Sequence, residues 1–204
     1  MRLLTDGKAT EAVRHFDDAI HANPDYLEAY VGRALARRNL RQYELSLEDC
    51  DKIIRISATD PRGYNCRGMT HSFLKQYEPA VRDLSEAIRL NPSFILALEH
   101  RADAYSALQQ YEKAVTDYTQ VTRLRPRNAE VYVKRAIAYT NLKQYDKAIQ
   151  DYTEAIRFQP DNARAHNLRA SAEELLGDTA GAGADRRQAR ELRKKGGTVT
   201  DTPP

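Results

Sequence analysis

The chain of 204 residues contains no tryptophan, two cysteines and two methionines, and no apolar run approaching the roughly 20 residues of a membrane-spanning helix. A membrane is therefore not an expected partner. The first residues show no secretory leader pattern. Cys50 and Cys66 lack the spacing of paired metal ligands, and two thiols without a framework suit a reducing, cytoplasmic compartment. The histidines His15, His21, His71, His100 and His166 never stand four apart or near a cysteine pair, so no metal site is expected. Gly181-x-Gly183 has no third glycine and no preceding strand, which excludes a dinucleotide loop, and no strand–turn elbow presents a nucleophile. The expectation is a protein that is not an enzyme and binds no cofactor.

Charge of one sign is scarce over most of the chain. The net charge is +3, but residues 186–195 carry +5 and the remainder −2. Basicity is thus confined to one terminal stretch. The straightforward reading of that stretch is a solvated last helix with cations at its C-terminal dipole. A nucleic acid or other anion is the alternative ligand for it.

What the chain does have is a beat. Arg33, Arg67, Arg101, Arg135 and Arg169 are each 34 residues apart, and so are Asp49, Asp83, Asp117, Asp151 and Asp185. Tyr43, Tyr77, Tyr111 and Tyr145 keep the same period, as do Ala80, Ala114, Ala148 and Ala182. A fixed period of this length means one supersecondary unit copied in tandem. Counting slots from Leu27, Pro61, Ile95, Ala129 and Ala163 gives repeats at 27–60, 61–94, 95–128 and 129–162 and a degenerate, polar capping repeat at 163–195. Residues 1–26 fill the second part of an earlier unit, and 196–204 read as a disordered tail.

Within a unit the apolar spacing is helical: Tyr132, Ala136 and Tyr139 share one face, and Tyr145, Ala148, Ile149, Tyr152, Ala155 and Ile156 continue the rhythm. Ser93, Asn128 and Asn162 are candidate N-caps, and Asp60-Pro61 combines a cap with proline at the first helical position. The tyrosine stripe is expected in the core.

This pattern resembles the tetratricopeptide repeat family. The residues that carry the likeness are the aromatics at slot 4 (Tyr30, Tyr64, Tyr132), slot 11 (Tyr105, Tyr139) and slot 24 (Phe16, Tyr118, Tyr152). With them go the small residues at slot 8 (Ala34, Gly68, Ala102, Ala136, Ala170), alanine at slots 20 and 27, and Pro92, Pro126 and Pro160 at slot 32. The resemblance implies an all-α, right-handed superhelical solenoid of antiparallel helix pairs. Ala58 stands where proline is expected, and Glu173 and Arg186 stand in apolar slots.

Slot 7 is usually apolar in the family, so a charge there must be paired or must snorkel out to water. Slots 7 and 23 meet at one level of an antiparallel hairpin. The expected rungs are Arg33–Asp49, Arg67–Asp83, Arg101–Asp117, Arg135–Asp151 and Arg169–Asp185, a structural ladder rather than a catalytic array.

The resemblance also implies that the first helix of each pair lines a concave groove for an extended peptide or a partner helix. The groove-facing slots hold Arg38, Asn39, Arg62, Asn65, Met69, Phe73, Glu99, His100, Asp103, Lys134, Ile137, Asn141, Arg164 and Asn167. Cys50 is read as core and Cys66 as facing this groove. One subfamily clamps the terminal carboxylate of chaperone peptides with lysine at slot 5 and asparagine at slot 9. Here slot 5 is Val31, Asn65, Glu99, Val133 and Asn167, and slot 9 is Leu35, Met69, Asp103, Ile137 and Ser171, so that clamp is excluded. The function expected is a protein-interaction scaffold, with a regulatory or targeting module of a larger enzyme as the alternative. Leu3 and Gly7 match the end of a helix whose beginning is missing, so the chain reads as a fragment, as one that self-associates through its incomplete first repeat, or as one with a frayed natural start.

Overall fold

The computed structural model describes residues 6–194, which fold into eleven helices: α1 (Asp6–Ala22), α2 (Leu27–Asn39), α3 (Tyr43–Ile56), α4 (Pro61–Phe73), α5 (Tyr77–Leu90), α6 (Ile95–Ala107), α7 (Tyr111–Leu124), α8 (Ala129–Asn141), α9 (Tyr145–Phe158), α10 (Ala163–Leu176) and α11 (Thr179–Lys194). Leu3, Lys195 and the expected tail lie outside the described residues. Gly7, read as the end of an earlier helix, sits in the first turn of α1. The chain divides into two compact units, Met1–Leu108 and Gln109–Pro204, and the division falls inside the repeat at 95–128.

Each turn between paired helices is built the same way. Arg41, Lys75, Gln109 and Lys143, all at slot 15, have φ of 58°, and Gly177 in the same slot has φ of 96°. The left-handed residue lets two amides turn back on the helix end: Arg41 N donates to the Arg38 carbonyl and Gln42 N to the Arg37 carbonyl, at 3.0 and 2.8 Å. This satisfies carbonyls that the helix C-terminus leaves open. Four such turns use a residue with a side chain where glycine is the easier choice.

The helix starts are less uniform than their sequences suggest. Asp60 accepts from Arg62 N and Asn162 from Ala165 N, as caps do. Asn128 stands at the start of α8 without a side-chain cap bond. Ser93 is not the cap of α6, because Phe94 holds that place and the Ser93 hydroxyl donates to Asn91 Oδ1 at 2.9 Å. Asp178, not singled out in the sequence, accepts from Gly181 N at 2.9 Å at the start of α11.

In the first unit the core forms two clusters. One gathers Tyr30, Ala34, Cys50, Ile53 and Cys66, and the other Ala80, Leu84, Ala87, Ala97 and Ala104. Small residues at slots 8 and 20 set the approach of paired helices. A Cβ on Gly68 would lie 2.7 Å from Leu84 Cγ and 3.2 Å from the Ala80 carbonyl oxygen, so alanine, present at slot 8 elsewhere, does not fit beside Leu84. In the second unit Val133, Ala136, Ala148, Tyr152, Ala155, Ala165 and Ala172 form the core. Burial pushes the Tyr152 hydroxyl up to about 12.

Cys50 and Cys66, unconnected in the sequence reading, are joined in a disulfide between α3 and α4, with Cα atoms 5.6 Å apart. That separation lies within the range a disulfide spans. Cys66 therefore faces the core and not a groove.

The arginines at slot 7 bind in two directions. Forward, Arg33 meets Asp49 at 2.6 Å, Arg67 meets Asp83 at 2.7 Å, and in the second unit Arg135 meets Asp151 at 2.7 Å and Arg169 meets Asp185 at 2.6 Å. Arg101 and Asp117 belong one to each unit. Backward, Nη1 of each arginine donates to slot 25 of the preceding repeat: Arg33 to Asp17 at 2.6 Å, Arg67 to Asp51 at 2.7 Å and Arg101 to Ser85 at 3.0 Å. In the second unit Arg135 reaches Thr119 at 3.0 Å and Arg169 reaches Thr153 at 2.9 Å. One planar fork thus ties a repeat to its predecessor, a geometry that a lysine point charge does not reproduce. The cations also lie over tyrosine rings, Arg33 at 5.3 Å from the Tyr30 centroid and Arg135 at 5.6 Å from that of Tyr132.

Burial pushes the Asp49 and Asp151 carboxyls above their usual range in spite of the facing arginines. At Asp185 burial pulls the same way, but hydrogen bonds from Arg169 and His166 overcome it and hold the carboxyl below that range. His166 occupies the slot of Tyr30 and Tyr132. Those tyrosines donate to the carbonyls of Pro24 and Pro126, and His166 Nε2 lies 3.3 Å from that of Pro160 while Nδ1 lies 2.9 Å from Asp185.

Candidate partner-binding site

Within the first unit α2, α4 and α6 are neighbours, and the irregular residues of the repeat meet on them. Met69, Ser72 and Phe73 from α4 and His100 and Asp103 from α6 line a cavity of about 250 Å³. Phe73 is 55% exposed, yet its ring is held from below by Tyr43, stacked at 5.9 Å between centroids. Asn65 is buried and holds two of the lining residues: its Oδ1 lies 3.2 Å from His100 Nδ1, and its amide reaches Met69 Sδ at 3.8 Å. The cavity therefore combines two soft or aromatic apolar groups with an imidazole and a carboxylate.

Arg38 approaches Phe73 from α2, with its guanidinium 5.8 Å from the ring centroid. It is only 7% exposed, and burial pulls its pKa down to about 10. Its hydrogen bond is a long one, 3.5 Å, to the Thr70 hydroxyl. Asn39, the last residue of α2, is exposed.

Several other residues assigned to the groove from the sequence are engaged elsewhere. Arg62 is held at the start of α4 by Asp60 at 2.6 Å and Glu28 at 3.4 Å. The Asp60 side chain, bonded by the Arg62 side chain, is held below the usual carboxylate range. Glu99 is half-buried on α6. In the second unit Ile137 packs against the core, Lys134 lies 3.9 Å from Glu130, and the Asn141 amide donates to the Ile137 carbonyl at 2.9 Å. Arg164 is exposed on α10 and Asn167 half-buried. Ser72 and Tyr43 were missed by the sequence reading. For Tyr43 the signal was its place in a repeated tyrosine slot at the start of the second helix.

The basic helix α11 is partly neutralised, by α10 and by its own Glu191. Arg186 pairs with Glu174 at 2.6 Å and Lys194 with Glu191 at 2.9 Å. Among the described residues, no helix is long and apolar enough to cross a membrane, and no group of three His, Cys, Asp or Glu side chains is arranged to hold a metal.

Family models described as tetratricopeptide repeat match residues 1–61, 61–94 and 129–162, and one described as TPR repeat matches 102–143. The chain is similar to MamA 41-end from Desulfovibrio magneticus RS-1, at 19% identity over 86% of this chain and 97% of that one, with a TM-score of 0.78. It is also similar to YrrB, described as a TPR protein with an unusual peptide-binding site, at 16% identity over 88% of this chain and 92% of that one, with a TM-score of 0.75.

Proposed function

The chain belongs to the tetratricopeptide repeat family, and on that footing we propose that it is a protein-interaction scaffold whose first unit binds an extended peptide or partner helix across α2, α4 and α6. One observation carries this reading: Met69, Phe73, His100 and Asp103, none of which belongs to the repeat pattern, line one cavity, and buried Asn65 bonds His100 beside it. An exposed aromatic backed by a second ring is a preformed anchor point, since little side-chain freedom is lost when a partner covers it. YrrB, with a similar fold, is described as having a peptide-binding site. Affinity in the micromolar range, about −8 kcal/mol, suits a groove of this kind.

The test is capture of partner proteins by the wild-type chain and by Met69→Ala/Phe73→Ala. Loss of the captured set with an unchanged melting temperature supports the site. Capture of the same proteins in the same yield rules it out.

A further inference from the structure

Every slot-7 arginine with a described partner faces a carboxylate or a hydroxyl at 3.0 Å or less. Arg38 is different. Its one hydrogen bond is the 3.5 Å contact with Thr70, and it has no carboxylate partner among the described residues. Its neighbour Arg37 is committed to Asp49 at 2.9 Å. Among the described residues the buried polar side-chain atoms without a partner are Arg37 Nε and Glu173 Oε2, and no nitrogen of Arg38 is one of them. In the same slot the other repeats hold Ser72, Ser106, Thr140 and Glu174, so no repeat-wide role explains a cation there. A cation withdrawn from water without an anion is unfavourable, and an arriving carboxylate relieves it.

We propose that Arg38 is the acid-reading subsite of the peptide groove, pairing with an internal Asp or Glu side chain of the partner while an apolar residue two positions away fills the Met69–Phe73 cavity. This rests on the peptide-binding reading of the first unit and specifies its ligand. The spacing follows from geometry. In an extended peptide, side chains on one face recur every second residue, about 6.6 Å apart. The Arg38 guanidinium lies 5.8 Å from the centre of the Phe73 ring that borders the cavity. A single guanidinium suits one side-chain carboxylate. A chain terminus is held by several converging donors, which Arg38 with Arg37 engaged elsewhere does not supply.

The experiment selects a displayed library of random 12-residue peptides on the full chain, then measures synthetic, end-capped versions of the enriched peptides. Enriched sequences should carry Asp or Glu two residues from Leu, Ile, Met or Phe. Changing that acid to Gln or Asn should weaken binding about tenfold or more, the scale of one charge-assisted bond. In Arg38→Gln the two peptides should bind alike, and Arg38→Lys should restore part of the preference. Phe73→Ala, at an exposed position, should weaken both peptides while leaving the acid preference in place. If Arg38→Gln does not fold, raising the salt concentration on the wild-type chain serves instead, and should weaken the acidic peptide more than its amide counterpart. Enrichment without acids, an acid preference that survives Arg38→Gln, or binding that needs a free C-terminal carboxylate each overturns the assignment while leaving peptide binding intact. Absence of any enriched peptide overturns both readings.

Discussion

Removing one end of a ladder rung should strand the other, and Arg135–Asp151 is the rung on which this is cleanest. Both residues lie in one unit, and the pair is bidentate at 2.7 Å in each bond. Asp151 is 6% exposed. Arg135 keeps other company: the hydroxyls of Thr119 and Thr122 at 3.0 Å and the rings of Tyr132 and Tyr139. Asp151 has Arg135 as its bonding partner and the repulsive carboxylate of Glu154 nearby. Breaking a buried pair from one side costs about 3–5 kcal/mol. Asp151→Asn should fall at the low end, because the guanidinium retains its hydroxyls and rings. Arg135→Met should fall higher, and its effect should depend on pH. With the arginine gone, the folded Asp151 pKa rises further above its unfolded value. The destabilisation then appears as pH climbs past the unfolded value near 3.9 and grows until the folded pKa is passed. Arg135→Met should therefore melt closer to wild type at pH 4 than at pH 7. The double variant leaves no stranded charge and should be less damaged than the sum of the singles by about 2–3 kcal/mol. For a chain of this length a loss of 3 kcal/mol lowers the melting temperature by about 6–12 °C, within easy reach of calorimetry. Additive single effects, or a pH-independent Arg135→Met, would refute the argument that the rung is a buried pair.

The left-handed slot offers the reverse experiment. Lys143→Gly relieves a conformation at φ 58° that costs a side-chain-bearing residue about 1–2 kcal/mol, against about 0.4–1 kcal/mol of added unfolded-state freedom; thermal melts should show a gain of up to about 1 kcal/mol, and a clear loss contradicts the reading. The bridge between Cys50 and Cys66 closes a loop of 16 residues, so Cys66→Ala should lower urea stability by about 3 kcal/mol, and thiol titration of the unfolded, unreduced chain should find no free sulfhydryl. Asp185 is depressed in the folded state, so unfolding takes up protons; its contribution is present above the ordinary aspartate range and is lost as pH falls through the folded value. The stability difference between wild type and Asp185→Asn should accordingly shrink as pH is lowered below about 4 in acid titrations followed by circular dichroism.

The repeat made the helices legible because a period of 34 forces every copy to answer the same packing problem. The forward rung could be read because slots 7 and 23 share a level in an antiparallel pair. The backward contact could not be read from the arginine's aspartate partner alone, since slot 25 holds Asp17 and Asp51 early and Ser85, Thr119 and Thr153 later. A single residue type never marks that slot. The disulfide was missed for a related reason. Cys50 and Cys66 are sixteen apart, the same step that joins slot 25 to the next slot 7, displaced by one residue. Judged by metal-ligand spacing the pair looked unrelated; judged by the ladder's own step it is in contact.

The candidate site shows a different limit. Slot position correctly separates residues that can face outward from those that cannot only where neighbours do not intervene. Arg62 is captured by the cap residue two positions before it, Asn141 by its own helix end, and Ile137 by the core. These are local competitions that a slot number does not encode. In the first unit Met69, Phe73, His100 and Asp103 share a cavity, with Asn65 and Arg38 beside them. The ladder and this set then stand in a physical contrast. At slot 7 the protein surrounds each charge with partners and gains a brace from it. At Arg38 it holds a charge at the edge of water with one long bond, in a slot where Ser72, Ser106 and Thr140 show that a hydroxyl is enough for the fold. A buried cation left short of partners lowers the stability of the free chain, and the deficit is recovered only when an anion arrives. If the proposed pairing holds, Arg38, rather than the regular arginines of slot 7, is the place where folding and binding are coupled.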